Sequence, residues 1–463
     1  MNPKTDHQEH WVVLILFITI AAVYLGFPTR NYYWDGIAFA QTIEDAARID
    51  PSLLHPNHLI YSLVGYIFFH FIRVLGIDIR AVLALQILNA LLGALCAVVL
   101  FQILRRVLRS TYLSFSLTLL FAFSATWWKF ATDADSYIAS VLFLLISFYL
   151  LLPSSKARPL LIALAFSLSM LFHQLAVIFY PVIVVGLCLQ SRESPQKQGL
   201  LNPLFFTLVA FVITFTAYCY SYYLITGTFD WGRFMHWITS FSPDVSFSFD
   251  ARSNFFYSLR GHGRLFFGGR FNAIKELMNP LILALMICLA VALLAFLYKL
   301  VRNVAKPDWE WLQSLKQDRG LRSVLLLSTL WAAGYLIFLF VWLPHNTFYR
   351  LFYVPALILI VGVILAARER AQPRARSYRL ALLVVIISLC NFLFLIFPST
   401  HTQSYPPLAI AMAMHQPWPN GTVIYYGAKN ADNSLVRYFN PGTSWRELPA
   451  DTAEFDSDLR DVY

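Results

Sequence analysis

Three aspartates lie directly beside long apolar segments, and their type and placement suit chemistry. Asp35 follows the first apolar segment, while Asp133 and Asp135 occupy a short turn between two later ones. An ionised carboxylate is costly to hold at a membrane boundary unless something uses it. Asp35 therefore suits a general base that takes a proton from an acceptor hydroxyl or amine. Its position fits a helix N-cap equally well, so both interpretations stand.

Asp133 and Asp135 have a structural alternative of their own. Asp135 could cap the following helix, and Lys129 could pair with either carboxylate. Caps alone do not account for three carboxylates if a single topology places all of them on one side of the membrane. The arrangement then favours a shared site, in which Asp133, Asp135 and the adjacent Tyr137 orient or polarise the acceptor beside Asp35.

Histidines near the same boundary are further candidates. His55 and His58 flank Pro56 at a spacing of three, which could serve a metal ion, but no third clustered His or Cys accompanies them. A sharp re-entry at Pro56, with both rings hydrogen-bonded to loop carbonyl groups, is the favoured interpretation. His173 interrupts an apolar stretch, and either packs in the core or faces the same cavity. No metal site is predicted, and a bound divalent ion is kept as the less favoured alternative.

Basic residues supply candidates for phosphate binding. Arg350 and His345 lie in the turn that opens a late apolar segment. A guanidinium matches two phosphate oxygens at once, although Arg350 could equally extend to the membrane interface. Lys129, and Arg264 and Arg270 in two glycine-rich turns, could add charge to the same site. Glycine-rich turns are common, so that signal is weak.

The composition indicates an integral membrane protein. The 463 residues are 58% hydrophobic and 13% charged, against about 25% charged in soluble domains. Basic residues fall in short runs between apolar segments, which indicates membrane orientation and not nucleic-acid binding. All five cysteines lie within apolar stretches, which excludes a disulfide framework. No Walker A, GxSxG or HExxH motif occurs, so ATPase, serine hydrolase and zincin activities have no support.

The apolar segments predict an all-α polytopic protein with about eleven transmembrane helices. A span requires about 20 apolar residues. The predicted spans are 11–28, 82–104, 111–127, 138–152, 159–172, 174–190, 203–226, 279–299, 322–342, 348–367 and 380–397. Segment 58–75 is ambiguous, because it is short and contains two histidines and an arginine.

The distribution of basic residues decides the ambiguous segment. If 58–75 lies at the outer face without crossing, five loops carrying eighteen Lys and Arg residues become cytoplasmic together. Short cytoplasmic loops are enriched in these residues. The prediction is therefore a cytoplasmic N-terminus, with the candidate site residues on the outer face. The alternative is an N-terminus on the outer side of the membrane, in which case 58–75 crosses the membrane.

These spans predict two parts. Residues 1–397 form a transmembrane domain with large outer loops at 29–81 and 227–278, and 398–463 form a small outer segment. Aromatic and Arg residues alternate in 227–278, which predicts helices lying along the membrane surface. The tail predicts a strand at 422–426 and a helix around 433–439.

Several of these elements resemble the GT-C membrane glycosyltransferases, especially bacterial relatives of protein O-mannosyltransferases and aminoarabinose transferases. That family places an essential Asp after the first span, as at Asp35, followed by a His-Pro-Pro-like segment, here His55–His58. An Arg begins the next span, as at Arg80, and an acidic-x-Tyr element follows, here Asp135–Tyr137. A late span begins Arg350–Pro355. The sequence departs from the pattern in lacking a second acid after Asp35 and in having Asn57 for the second proline.

The resemblance implies transfer of a sugar from a polyprenyl-phosphate donor to an acceptor at the outer face, which is a lipid, glycan or protein. It implies one inverting displacement, with Asp35 as base, Asp135 and Asp133 orienting the acceptor, and no required cofactor. It also implies a bacterial cytoplasmic membrane, with the bilayer, donor and acceptor as partners. Two alternatives remain: a transporter or flippase for lipid-linked sugars, and a non-catalytic binder of such lipids.

Overall fold

Long apolar helices build the protein, as the computed structural model shows. It describes residues 3–152, 158–193, 200–239, 247–270, 280–304, 310–371, 378–415, 419, 422–426, 433–441 and 444–447. Parts of the predicted topology lie outside these ranges: Lys156, Lys197, Arg374 and Arg376 in the basic loops, and 240–246 and 271–279 in the second outer loop.

The helices of the first half are α1 (Pro3–Gly26), α2 (Trp34–Asp45), α3 (Tyr61–Val74), α4 (Ala81–Leu108), α5 (Thr111–Ala122), α6 (Ala125–Ala131), α7 (Tyr137–Leu150), α8 (Pro159–Phe172), α9 (Tyr180–Glu193), α10 (Leu201–Thr226), α11 (Trp231–Thr239) and α12 (Ala251–Phe266). Short 3-10 turns at Pro51–Leu53, Pro56–His58 and Gln174–Phe179 connect some of them. Apolar runs account for the long helices, which tolerate interior glycines such as Gly93 in α4. Arg109, in the left-handed conformation with φ of 58°, ends α4.

The second half contains α13 (Pro280–Val304), α14 (Glu310–Gln317), α15 (Arg319–Trp342), α16 (Val354–Ala371), α17 (Tyr378–Asn391), α18 (Phe397–Ser399), α19 (Pro406–Ala413) and α20 (Asn433–Phe439). A 3-10 turn, Phe348–Tyr353, precedes α16, and a π turn, Phe392–Ile396, follows α17. The predicted strand and helix of the tail are present as β1 (Val423–Tyr426) and α20. β1 pairs in parallel with β2 (Ser444–Glu447), which the sequence did not indicate.

Six helical segments among the described residues are long and apolar enough to cross a membrane. They are Ala81–Leu108, Gln174–Ser191, Leu201–Thr226, Arg319–Trp342, Phe348–Ala371 and Arg379–Ser399. Shorter apolar helices lie at His10–Gly26, Tyr61–Val74, Thr111–Ala122, Tyr137–Leu150, Pro159–Phe172 and Leu283–Phe296. The chain is therefore a polytopic, all-α membrane protein, while the number of eleven spans stays a prediction.

Length does not decide whether α3 crosses the membrane. With 14 residues it is about 21 Å long, short of a hydrocarbon core of about 30 Å, but α7 and α8 also have 14 residues. α7 and α3 differ in packing. α7 is buried along most of its surface, whereas α3 is one-sided and exposes Ile67, Phe71 and Val74.

Three buried clusters divide the packing of the described residues. The largest includes α1, α4, α5, α7, α15 and α16, whose apolar side chains interdigitate. The smallest lies between α10 and α11. The remaining cluster joins α2 and α3 to the N-terminal half of α4 and to α19 and α20 of the tail. The C-terminal segment therefore packs against the first loop of the chain, which contains Asp35.

Candidate active site

The loop with Asp133 and Asp135 contacts the first turn of α2, which carries Asp35. Gly36, next to Asp35, packs so closely that a Cβ atom built there would overlap the carbonyl oxygen of Ala134. The Tyr33 amide, one residue before α2, donates to Asp133 Oδ2 at 3.1 Å. The structure thus brings all three sequence-predicted aspartates into one region.

Neither Asp35 nor Asp135 has the capping role that was its alternative. α2 begins after Tyr33, and α7 begins after Ser136, and neither N-cap residue makes a side-chain capping bond. Asp35 lies inside the first turn of α2. The N-cap interpretations of Asp35 and Asp135 are therefore wrong, because the N-cap of α2 lies two residues before Asp35 and the N-cap of α7 lies one residue after Asp135.

Two amide side chains from α4 hold the acidic loop in place. Asn89 Nδ2 donates to the carbonyl oxygens of Asp133 at 2.8 Å and Asp135 at 2.6 Å. Gln86 Nε2 donates to the carbonyl oxygens of Thr29 and Thr132 at 2.8 and 2.9 Å. These amides tie the segment before α2 to the acidic loop. The sequence analysis missed both residues, although polar amides within an apolar helix are a usable signal.

Asp133 is the best-satisfied carboxylate of the three. Besides the Tyr33 amide, it accepts from the Ala134 amide at 2.9 Å, and Lys129 Nζ lies 4.0 Å from Oδ2. Burial raises the pKa of Asp133 to about 6, and the Lys129 charge and the two amides limit the increase. Asp133 therefore anchors the turn and pairs with Lys129.

Asp35 and Asp135 hold their charge less easily. Burial raises the pKa of Asp35 to about 7. Burial, followed by the nearby Asp35 and Asp133 charges, raises the pKa of Asp135 well above its usual range. Asp135 Oδ1 accepts from the Ser136 amide at 2.7 Å, but Oδ2 is buried and has no hydrogen-bond partner among the described residues. Two adjacent carboxyl groups of this kind favour holding a proton near neutral pH.

Aromatic rings surround the carboxylates. Phe348 packs against Tyr33 at a centroid distance of 4.8 Å and stacks on Tyr137 at 5.3 Å. Tyr349 packs edge-on against Tyr137 at 5.6 Å. Tyr137, predicted to join the site, is fully buried beside the acidic loop. Flat apolar faces next to carboxylates suit a ligand with both apolar and hydroxyl-bearing surfaces.

The three candidate histidines lie together behind the acidic loop. His58 Nδ1 is 2.6 Å from Ser136 Oγ, and the His58 and His173 rings are 4.6 Å apart. The His55 ring stacks on His58 at 5.8 Å and lines a surface cleft of about 570 Å³. Burial lowers the pKa of all three, that of His173 to about 3, so they remain neutral.

Backbone contacts explain much of the histidine cluster. His55 Nδ1 accepts from the Asn57 amide at 3.3 Å, and His173 Nδ1 accepts from the Leu175 amide at 3.0 Å. Both rings therefore begin short 3-10 turns, and His55 accepts from a backbone amide where the sequence interpretation expected a bond to a loop carbonyl group. Across the described part of the chain, no group of three or more His, Cys, Asp or Glu residues is placed to hold a metal ion.

Arg350 is buried, and its donors reach protein acceptors. Nε and Nη2 donate to the carbonyl oxygens of Asn346 and Pro344 at 2.9 and 2.7 Å, and Nη1 donates to Tyr353 Oη at 2.8 Å. The guanidinium packs against Gly261, where a Cβ atom would overlap it. Arg350 thus fixes the turn before α16. The neighbouring His345 is exposed and packs edge-on near Tyr257.

Arg270 is the better-placed cation of the second outer loop. Its amide donates to the Phe394 carbonyl oxygen at 2.9 Å, and its guanidinium lies 5.9 Å from the Tyr405 ring centroid. Its Nη1 is buried without a hydrogen-bond partner among the described residues, and its charge acts on Lys129. Arg264 is exposed, and its carbonyl oxygen accepts from Thr126 Oγ1 at 2.8 Å.

The fold resembles that of a solved membrane protein. The crystal structure of ArnT from Cupriavidus metallidurans bound to undecaprenyl phosphate superposes with a TM-score of 0.60, covering 97% of this chain and 88% of ArnT at 13% identity. The apo ArnT structure superposes equally well, over 98% and 88%. The chain has an ArnT-like fold. No protein-family model and no curated protein matches the sequence.

The ArnT likeness confirms the resemblance to GT-C aminoarabinose transferases at the level of the fold. It also confirms an integral, multi-pass membrane architecture for the chain. Undecaprenyl phosphate is the ligand of ArnT itself.

Proposed function

We propose that the protein is a membrane glycosyltransferase that moves a sugar from a polyprenyl phosphate to an acceptor at the outer face of a bacterial cytoplasmic membrane. One observation carries the proposal: Asp35 lies half-buried within electrostatic reach of the fully buried Asp135, and Asp135 keeps an oxygen without a partner among the described residues. Such groups suit proton removal from a bound acceptor. The ArnT-like fold, which holds undecaprenyl phosphate in ArnT, supports a lipid-phosphate donor.

The chemistry is a single displacement. The acceptor oxygen or nitrogen bonds to the anomeric carbon while the bond from that carbon to the phosphate oxygen breaks, which inverts the configuration. The acceptor proton passes to Asp35, and the polyprenyl phosphate leaves with the bonding electrons. Asp135 and Asp133 orient the acceptor. The phosphate itself is a stable leaving group, so the reaction does not depend on a metal ion.

The leaving phosphate needs positive charge on the side opposite the acceptor. Lys129 and Arg270 act on each other electrostatically, and Arg270 keeps a buried donor that no described residue accepts from. We therefore place the phosphate at these two residues. Arg350, whose donors bind carbonyl oxygens and Tyr353, shapes the adjoining turn.

Sugar transfer by the purified protein in lipid vesicles tests the proposal. Radiolabelled polyprenyl-phosphate sugars would be offered with extracted membrane lipids and peptides as acceptors. Asp35→Asn should reduce transfer by about 10² to 10⁴-fold and leave polyprenyl-phosphate binding intact. Asp45→Asn is the matched control, because Asp45 is exposed at the far end of the same helix.

The outcomes separate the functions. Transfer that Asp35→Asn abolishes and Asp45→Asn preserves supports the glycosyltransferase. Absence of transfer from every donor, with polyprenyl phosphate still bound, would refute it in favour of a transporter or a binding protein.

A further inference from the structure

Helix α20 of the C-terminal segment lies along α2 and contacts both of its ends. Before α2, the Tyr32 ring packs on Phe439 at a centroid distance of 6.0 Å. At the end of α2, Glu44 Oε1 accepts from Tyr438 Oη at 2.8 Å. Leu435 and Val436 are buried in the same cluster as Ile37. α20 therefore contacts the residues before α2, the apolar cluster of α2 and the C-terminal end of α2.

Glu44 is the centre of a network that joins three elements. Arg80, at the start of α4, binds it through two nitrogens, Nε at 2.9 Å and Nη2 at 2.7 Å. The Ala81 amide donates to Glu44 Oε1 at 2.7 Å. Arg80 Nη2 also donates to the Tyr438 carbonyl oxygen at 2.6 Å. A two-pronged, half-buried ion pair of this kind restricts geometry far more than an exposed pair.

Tyr438 completes the network through its ring and its hydroxyl. Its ring lies 4.1 Å from the Arg80 guanidinium carbon, a cation-π contact. Its hydroxyl accepts from the Val82 amide at 3.1 Å while donating to Glu44. Every strong polar group at this junction of α2, α4 and α20 therefore has a partner. The hydrogen bonds and the ion pair lower the pKa of Glu44, which remains ionised near neutral pH.

The opposite end of α2 is held by fewer polar contacts. The amide of its N-cap residue, Tyr33, donates to Asp133 Oδ2 at 3.1 Å, and Gly36 packs closely on Ala134. A rigid helix of 12 residues transmits a displacement at one end to the other. The position of the Asp35 carboxylate therefore depends on the Glu44 junction as well as on these contacts.

We infer that Glu44, Arg80 and Tyr438 are positioning residues that hold the Asp35 carboxylate at the reacting centre. The inference rests on the proposed function for its effect on catalysis, and on contacts alone for its effect on α2. Loosening the junction lets α2 move away from the acidic loop. The Asp35 carboxylate is then displaced from the acceptor. A displacement near ~1 Å lowers the rate of transfer up to about 100-fold.

The test compares Tyr438→Phe and Glu44→Gln with the wild type in lipid. Tyr438→Phe removes only the hydroxyl, and Glu44→Gln removes the charge and replaces one acceptor oxygen by a donor. Asp78→Asn is the matched control, because Asp78 forms an exposed ion pair with Arg73 at 3.7 Å in the same loop region. Amide hydrogen exchange of residues 34–45 measures how firmly α2 is held, and it does not require enzyme activity. Faster exchange is expected in the two junction variants and unchanged exchange in the control.

Kinetics then separates positioning from general destabilisation. In the junction variants we expect kcat to fall at least tenfold with an unchanged donor KM, and the midpoint of the pH profile to move below 7 as water reaches Asp35. A smaller amount of folded enzyme would leave that midpoint in place. Tyr438→Ala, which also removes the ring contact with Arg80, should have the larger effect.

Two results would overturn the inference. One is unchanged exchange over 34–45 in both junction variants. The other is faster exchange with wild-type kcat and an unmoved midpoint. If the wild-type protein transfers no sugar at all, the proposed function fails, and the exchange measurement still decides whether the junction holds α2.

Discussion

Sugar transfer should depend on pH with a midpoint near 7, because Asp35 must be ionised to accept a proton. Burial raises the pKa of Asp35 to about 7 from 3.8. The groups within electrostatic reach are Asp135, Tyr33, Tyr137 and Tyr349, which offer negative charge or none. Protonation below pH 7 therefore removes the base, and kcat/KM should fall about tenfold per pH unit, about 100-fold by pH 5.

An ordinary aspartate gives a clearly different result. With a pKa of 3.8, it would remain mostly ionised at pH 5, and transfer would stay near its plateau. Initial rates would be measured from pH 5 to 9 at saturating and limiting donor, in buffers of constant ionic strength. Returning samples from pH 5 to pH 8 before assay controls for unfolding. A flat profile over this range, or the same midpoint in the residual activity of Asp35→Asn, would refute the role of Asp35.

Two substitutions probe how the site is held together. Gly36→Ala places a Cβ atom on the Ala134 carbonyl, so we expect the protein to lose about 1–3 kcal/mol of stability and kcat to fall. Gly26→Ala is the control, because Gly26 has open space around it, and this variant should match the wild type in thermal unfolding and in sugar transfer. Lys129→Met removes the cation that pairs with Asp133, and this raises the pKa of Asp133 above about 6. The folded state then binds the Asp133 proton more tightly than the unfolded state, so the melting temperature should fall at pH 8 and recover at pH 5. A loss equal at both values would contradict this reasoning.

The sequence indicated the grouping of the aspartates because topology alone constrains it. Asp35, Asp133 and Asp135 each adjoin an apolar segment, and a single assignment of sides brings their loops together. The helix boundaries needed more. Asp35 lies two residues after Tyr33, the N-cap of α2, and local sequence rarely fixes helix ends that closely.

Contacts between distant segments were beyond the sequence. Arg350 has the residue type of a phosphate ligand, but its partners are main-chain carbonyl groups, which no side-chain pattern reveals. Glu44 and Tyr438 are 394 residues apart, and nothing near either one indicates the other. Asn89 was recognisable as a polar residue in an apolar helix, yet only the packed fold shows that it holds the acidic loop.

The great separation of Glu44 and Tyr438 along the chain affects the order of biosynthesis. A ribosome makes α2 early and Tyr438 394 residues later, after the apolar helices between them. At about 5–20 residues per second, the interval is on the order of half a minute. During that time the nascent protein enters the membrane with the Glu44 contacts to Arg80 and Ala81 available and the contact with Tyr438 still absent. The junction closes late, so Asp35 reaches its working position only in a chain whose membrane helices have already been synthesised.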